Sequence, residues 1–313
     1  MRHRTILTAA GMAASVLVLA GCGSDTGPAS STGTGAGGAG ARVVATTTIW
    51  GDITGQVVEC AGAGEVTTLI PVGSDPHDFS PSSQDVAAMV SADLVVANGL
   101  GLEEGLAQSL ESATSDGATV LEIAAQVDPL PFGADGAAGD DPHVWHDVAR
   151  AAKAAGLIGG ELTKATGNPA YAECGTLLQG ELMTVNDEVA TTLATVPEDL
   201  RVLVTDHDAL GYLAAAYGYT VAGTVVPGGS TLAEPSSAEL AALSAVVREA
   251  GVPAVFANTA NPQALVEALA SEVGDIAVVD LYVDSLGAPG SGADTYQGMV
   301  TTNAQRISDA LAG

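Results

Sequence analysis

The chain has 313 residues, of which 37 are Asp or Glu and 9 are Lys or Arg, for a formal net charge of −28. That balance argues against binding nucleic acid and against attraction to anionic lipid headgroups, both of which need basic surfaces. Aromatic residues make up only 4%, which fits poorly with an aromatic-lined pocket for an organic ligand.

The N-terminus reads as an export leader. Arg2 and Arg4 give a basic start, residues 6–20 are apolar, and Leu19-Ala20-Gly21-Cys22 sets small residues before a cysteine. The apolar run of about 15 residues is shorter than the roughly 20 needed to span a bilayer. This segment resembles a bacterial lipoprotein signal with its lipobox. The resemblance implies removal of residues 1–21, lipidation of Cys22 and anchoring at the outer face of the cytoplasmic membrane, with the lipid as the only membrane contact. Residues 22–41 are rich in Gly, Ser, Thr and Ala. They cannot bury enough apolar surface to offset their ordering entropy, and they read as a tether.

The body then alternates short apolar runs with helical stretches. Strands are predicted at residues 43–49, 66–70, 93–98 and 118–123, with helices at 52–59, 82–90 and 102–111. Ser82 and Asp85 have the spacing of a capping box. Pro, Gly and Asp break the pattern over residues 129–141. Residues 147–195 read as mainly helix, interrupted near Gly167-Asn168-Pro169, where proline suits a helix start. Alternation resumes with strands at 201–205, 219–225, 254–257 and 276–281. Helices follow at 210–217, 237–249, 262–272 and 295–311. Strand–helix alternation of this kind predicts parallel sheets flanked by helices. The expected organisation is an α/β lobe over residues 42–144, a linking helical segment over 145–195 and a second α/β lobe over 196–313.

Cys60 and Cys174 are the thiols that remain after Cys22. An exported chain meets a disulfide-permissive compartment, so the two can pair; the other reading leaves both free. Neither has the spacing of a metal motif.

Histidine is scarce, with five in the chain and His3 in the leader. His77, His143 and His207 each follow a predicted strand, as does Asp284. In parallel α/β sheets, ligands bind beyond the carboxyl ends of strands. Facing lobes would therefore bring these residues together in the cleft between them. Three neutral imidazoles and one carboxylate fill a four-coordinate site suited to Zn(II). Asp280 is the alternative to Asp284. Asp78 and Asp208 are candidate acceptors for orienting the imidazoles. His146, three residues after His143, is read as an outer neighbour of the site or a surface residue.

Gly73-Ser74-Asp75-Pro76-His77-Asp78-Phe79-Ser80-Pro81, Asp141-Pro142-His143-Val144-Trp145, His207-Asp208-Ala209-Leu210-Gly211-Tyr212 and Asp284-Ser285-Leu286-Gly287 stand in that order. Together with Glu234-Pro235-Ser236 they make the chain resemble the bacterial ABC-transporter solute-binding lipoproteins for zinc or manganese. The resemblance covers residues 43–312. It implies two parallel-sheet lobes joined by a long rigid helix, with a metal site in the cleft. It also implies a monomeric receptor that delivers its ion to an ABC permease. Manganese-handling relatives often place Glu where this chain has His207, so the resemblance favours zinc, with manganese the alternative. The His-rich loop of many zinc-specific members has no counterpart in residues 132–141. An enzyme is not expected. Catalytic zinc keeps an open position, and neither H-E-x-x-H nor a nucleophile elbow occurs.

Overall fold

The computed structural model describes residues 40–133, 139–274 and 276–313; the leader, Cys22 and nearly all of the tether lie outside them. In the first lobe β1 (Arg42–Ala45), β2 (Glu65–Thr68), β3 (Leu94–Ala97) and β4 (Val120–Glu122) pair in parallel, in the order β2-β1-β3-β4. In the second, β5 (Val202–Thr205), β6 (Thr220–Thr224), β7 (Ala254–Asn258) and β8 (Ala277–Leu281) pair in parallel, in the order β6-β5-β7-β8. The two sheets thus share one topology. β3 and β7 are buried along their whole length, as expected for strands covered on both faces.

The first predicted strand ran too far. Residues 46–49 continue a β-branched run, yet the helix α1 (Thr48–Ala61) already contains Ile49. The cause is Thr47, whose extended backbone and side-chain oxygen cap the Trp50 N–H and start the helix there. The predicted capping box is present, with Ser82 and Asp85 bonded reciprocally at the start of α2 (Ser83–Ser91). The predicted third helix is α3 (Ala107–Ser115), preceded by a 3-10 turn at Glu104–Leu106.

The linking segment is a pair of helices. α4 (Val148–Thr166) ends at Gly167, whose φ of +75° closes the turn, and α5 (Ala170–Leu193) starts after Pro169. The two pack closely because Gly159 faces Gly175: a Cβ on Gly159 would lie 2.4 Å from the Tyr171 carbonyl oxygen. α5 spans the lobes, with 24 residues and a length of about 36 Å at 1.5 Å per residue. Its start is fastened to the first lobe. Cys174 is disulfide-bonded to Cys60 of α1, and the Tyr171 hydroxyl donates to the Ala63 carbonyl at 2.7 Å. Its end is fastened to the second lobe, where the Tyr219 hydroxyl donates to the Leu193 carbonyl at 2.9 Å.

The second lobe is completed by α6 (Gly211–Tyr217), α7 (Ser237–Ala250), α8 (Ala264–Val273) and α9 (Tyr296–Ala312). The last of these returns to the first lobe, where the Tyr296 N–H donates to Asp52 of α1 at 2.9 Å. One hydrophobic core runs through both lobes, from Val43 and Trp50 through Leu178 and Leu182 to Phe256 and Met299. Among the described residues, no helix is long and apolar enough to cross a membrane.

Candidate metal centre

Two of the site histidines are set by the same local device. In Asp75-Pro76-His77 and again in Asp141-Pro142-His143, the aspartate Oδ1 accepts the histidine backbone N–H at 2.9 Å. Each is an Asx turn, in which the side chain takes the place of a backbone acceptor. Asp141 Oδ1 also lies 2.7 Å from the ring Nδ1 of His143, so that once Asp141 loses its proton the carboxylate accepts Nδ1–H and leaves Nε2 bare. Asp75 turns its other oxygen outward and accepts the Thr231 hydroxyl at 2.5 Å.

His207 leaves the end of β5. Its Nδ1 lies 3.0 Å from Asp206 Oδ1, which also accepts the Asn261 amide at 3.1 Å. Asp284 follows β8, and its Oδ2 accepts the Asn258 amide at 2.6 Å. A further bond ties two of these segments together: the Trp145 indole, two residues after His143, donates to the Val283 carbonyl at 2.9 Å.

These elements bring His77, His143, His207 and Asp284 into one cluster whose donor atoms all lie within 4.8 Å of one another. None of the four is more than 2% exposed. The Nε2 atoms of His77 and His143 are 3.3 Å apart. Asp284 lies 3.6 Å from His207 Nε2 through Oδ2 and 4.0 Å from His143 Nε2 through Oδ1. Metal–nitrogen bonds of about 2.0–2.1 Å set neighbouring tetrahedral ligands roughly 3.3–3.4 Å apart, so the cluster needs only small adjustments to close on one ion. His207 Nε2 and Asp284 Oδ1 are buried without hydrogen-bond partners. Orphaned buried polar atoms are costly, and a cation placed among them would satisfy both.

The electrostatics point the same way. Burial pushes His77 down and His143 well down, so both imidazoles are neutral and can donate lone pairs. Burial also acts to lower His207, but the carboxylates of Asp284 and Asp206 outweigh it and push the group up to about 9. Burial raises Asp284, against the opposing pull of His207 and His77. Burial pushes Asp141 up to about 8. His207 therefore holds a proton against Asp284, and that proton occupies the place a divalent cation would take.

Several sequence-based expectations need correction. Asp78 does not orient an imidazole: it is exposed, because the Asx turn takes the preceding aspartate, Asp75, toward His77. His207 is oriented by Asp206 on one side of it; Asp208 on the other side is buried near Gly133 and Gly211. Asp280 is exposed on β8 and accepts the Gln263 amide at 2.6 Å, away from the cluster. His146 is buried rather than on the surface, with its ring 5.5 Å from that of Trp145, and burial pushes it down to about 3. It stands outside the group of converging donor atoms. The sequence reading missed Asp141, Asp206 and Asn258. The repeated Asp-Pro-His tripeptide was the available signal for the first. Nothing local marks Asn258, which reaches Asp284 from another strand.

A family model described as zinc-uptake complex component A, periplasmic, matches residues 43–310. The manganese-binding lipoprotein MntA of Halalkalibacterium halodurans is 30% identical over 302 residues, covering 95% of each chain. The zinc-binding protein TroA of Treponema pallidum is 30% identical over 278 residues, covering 86% of this chain and 88% of its own. The solved structure of that periplasmic zinc-binding protein superposes with a TM-score of 0.79, covering 87% of this chain and 99% of the other.

Proposed function

The chain belongs to the zinc-uptake complex component A family of metal ABC-transporter substrate-binding proteins, and on that premise we propose that it captures Zn(II) outside the cytoplasmic membrane and delivers it to a permease. His77, His143, His207 and Asp284 would be the ligands. The observation that carries zinc is the donor set: three imidazole nitrogens and one carboxylate oxygen converge within 4.8 Å. That composition suits a borderline ion with tetrahedral preference better than a hard, oxygen-seeking one.

The receptor would be held by lipid on Cys22, with residues 22–41 as tether, residues 42–144 and 196–313 as lobes and residues 145–195 as the link. The leader sequence supports this anchoring, and loss of radiolabelled palmitate incorporation in Cys22→Ala tests it. The protein would act as a monomer and not as an enzyme.

A second reading is manganese, favoured by the manganese-binding relative at 30% identity. Because zinc outranks manganese at most such sites, affinity for zinc alone does not separate the two. The deciding experiment is metal analysis of the full chain purified without added metal, followed by zinc–manganese competition. One zinc per chain that excess manganese leaves in place supports the zinc reading. Manganese displacing it at comparable concentration moves the cargo to manganese. No stoichiometric metal, even after adding zinc to stripped protein, ends the receptor reading.

A further inference from the structure

Two of the three clustered imidazoles rest their outer nitrogen on a carboxylate. His143 Nδ1 lies 2.7 Å from Asp141 Oδ1, and His207 Nδ1 lies 3.0 Å from Asp206 Oδ1. His77 is the exception. Its Asx-turn aspartate, Asp75, uses Oδ1 for the backbone N–H and Oδ2 for the Thr231 hydroxyl. His77 Nδ1 is therefore buried without a hydrogen-bond partner. A carboxylate faces it at longer range: Glu104 Oε1 lies 4.0 Å from His77 Nδ1, on a side chain that is 45% exposed. Glu104 opens the 3-10 turn Glu104–Leu106, and two features hold that turn against the His77 loop. Glu103 is buried and accepts the Asn98 N–H at 2.7 Å, the Gly99 N–H at 3.1 Å and the Thr46 hydroxyl at 2.6 Å, which fixes the chain just before Glu104. Gly105 meets the loop directly, since a Cβ there would collide with the carbonyl oxygen of Phe79, two residues beyond His77.

Resting on the reading of His77 as a metal ligand, we propose that Glu104 is the positioning residue of that ring: in the metal-loaded protein it accepts the Nδ1–H of His77 and completes a third carboxylate–imidazole pair. The Nε2 atoms of His77 and His143 face each other at 3.3 Å, so an ion bound between them takes His77 through Nε2 and requires the ring proton on Nδ1. An N–H buried without an acceptor is costly. Moving Glu104 Oε1 from 4.0 Å to a hydrogen bond of about 2.8 Å takes roughly 1.2 Å, within the freedom of a half-exposed side chain on a fixed turn. The bond holds the plane of the ring and raises the basicity of Nε2, which strengthens its hold on the ion. Asp141 and Asp206 are buried, whereas Glu104 gives up water to make its bond. Its effect on affinity therefore belongs at the lower end of the range for such outer partners.

The test uses the full chain and three variants, with zinc affinity measured by chelator competition and metal-free melting temperatures as the folding control. Glu104→Ala should lose about tenfold in zinc affinity, the lower end of the 10–100-fold range for outer partners of metal ligands. Glu104→Gln keeps an acceptor oxygen and should recover part of that loss. Asp78→Ala removes the same charge from an exposed position beside His77 and should stay within about twofold of the parent. Imidazole nitrogen NMR of the zinc-loaded chain gives a readout that a merely structural role would not move. The Nδ1–H of His77, assigned through its ring carbons, should resist exchange in the parent and shift or exchange away in Glu104→Ala. Equal losses in Glu104→Ala and Asp78→Ala assign the effect to the overall field and overturn the proposal. A parent that binds zinc and loses it in His77→Ala, yet keeps its affinity and its His77 resonance in Glu104→Ala, defeats this inference alone. Zinc affinity that survives His77→Ala, or a parent that binds no metal, defeats the reading on which it rests.

Discussion

Thr231 donates its hydroxyl to Asp75 Oδ2 at 2.5 Å, and the same aspartate caps the backbone of His77. One carboxylate therefore joins the loop that carries a candidate ligand in the first lobe to the loop after β6 in the second. Nearby, the Gly73 N–H donates to Ser285 Oγ at 2.8 Å, again between lobes and next to Asp284. These bonds close the cleft over the cluster. Thr231→Ala removes one hydrogen bond worth about 1 kcal/mol, which is about a fivefold change in rate if it is broken during release. Stopped-flow transfer of zinc to a chelator should be faster by about that factor, with little change in the melting temperature of the metal-free chain. An unaltered release rate would mean that this bond is not part of the closure.

His207→Ala takes away a nitrogen donor and leaves Asp284 and Asp206 facing a cavity. Zinc affinity should fall by more than the roughly 10–100-fold associated with losing an outer partner. The fold should survive, since β5 and its neighbours do not depend on the imidazole. Calorimetric titration beside circular dichroism separates the two effects. Parent-like affinity in a folded variant would take His207 out of the ligand set.

Much of this architecture was legible because local chemistry and global fold agree. β-Branched runs mark the strands, and Ser82 with Asp85 marks a helix start that the structure builds with both bonds of a capping box. Gly167 and Pro169 mark the break between the two long helices. The failure at residues 46–49 has a physical reason: Thr47 is as good a cap as it is a strand residue, and the cap won. The four clustered residues were legible because histidine is rare and each candidate follows a strand. Their orienting partners were not. Asp206 and Asp208 flank His207 symmetrically in sequence, and only the backbone path decides which one meets Nδ1. Asn258 lies 26 residues from Asp284, and the parallel pairing of β7 with β8 creates their contact.

The Cys60–Cys174 disulfide closes a sequence separation of 114 residues and pins the start of α5 to α1. Loop-closure arguments give a stabilisation of about 4–5 kcal/mol for loops of that length, with native bridges in practice contributing about 2–5 kcal/mol. Cys60→Ser with Cys174→Ser should lower the free energy of unfolding in urea by an amount in that range. Zinc affinity should change little, because none of the clustered donors comes from α1 or α5. A double variant as stable as the parent would show that the tight packing of α4 on α5 suffices without the bridge.

The pH dependence of binding follows from His207. In the metal-free protein its pKa is raised from 6.5 to about 9, because Asp284 and Asp206 outweigh the opposing effect of burial. A folded-state pKa above the unfolded one gives stability that is fully present below about 6.5 and is lost as pH rises through about 9. Zinc needs Nε2 bare, so the ion must displace this proton at neutral pH. Burial holds His77 neutral, so it releases none there, whereas Asp141, pushed up to about 8 by burial, must give up its own proton before it can hold His143 Nδ1–H and leave Nε2 bare. Zinc affinity should therefore climb by about tenfold per pH unit or more through the neutral range and level off above about 9. Titration calorimetry in buffers of different ionisation enthalpy should count at least one proton released per zinc at pH 7. The same titration of a folded His207→Ala variant should lose that proton. Affinity that stays flat between pH 6 and pH 8, with no proton released, would be incompatible with an ion bound through His207.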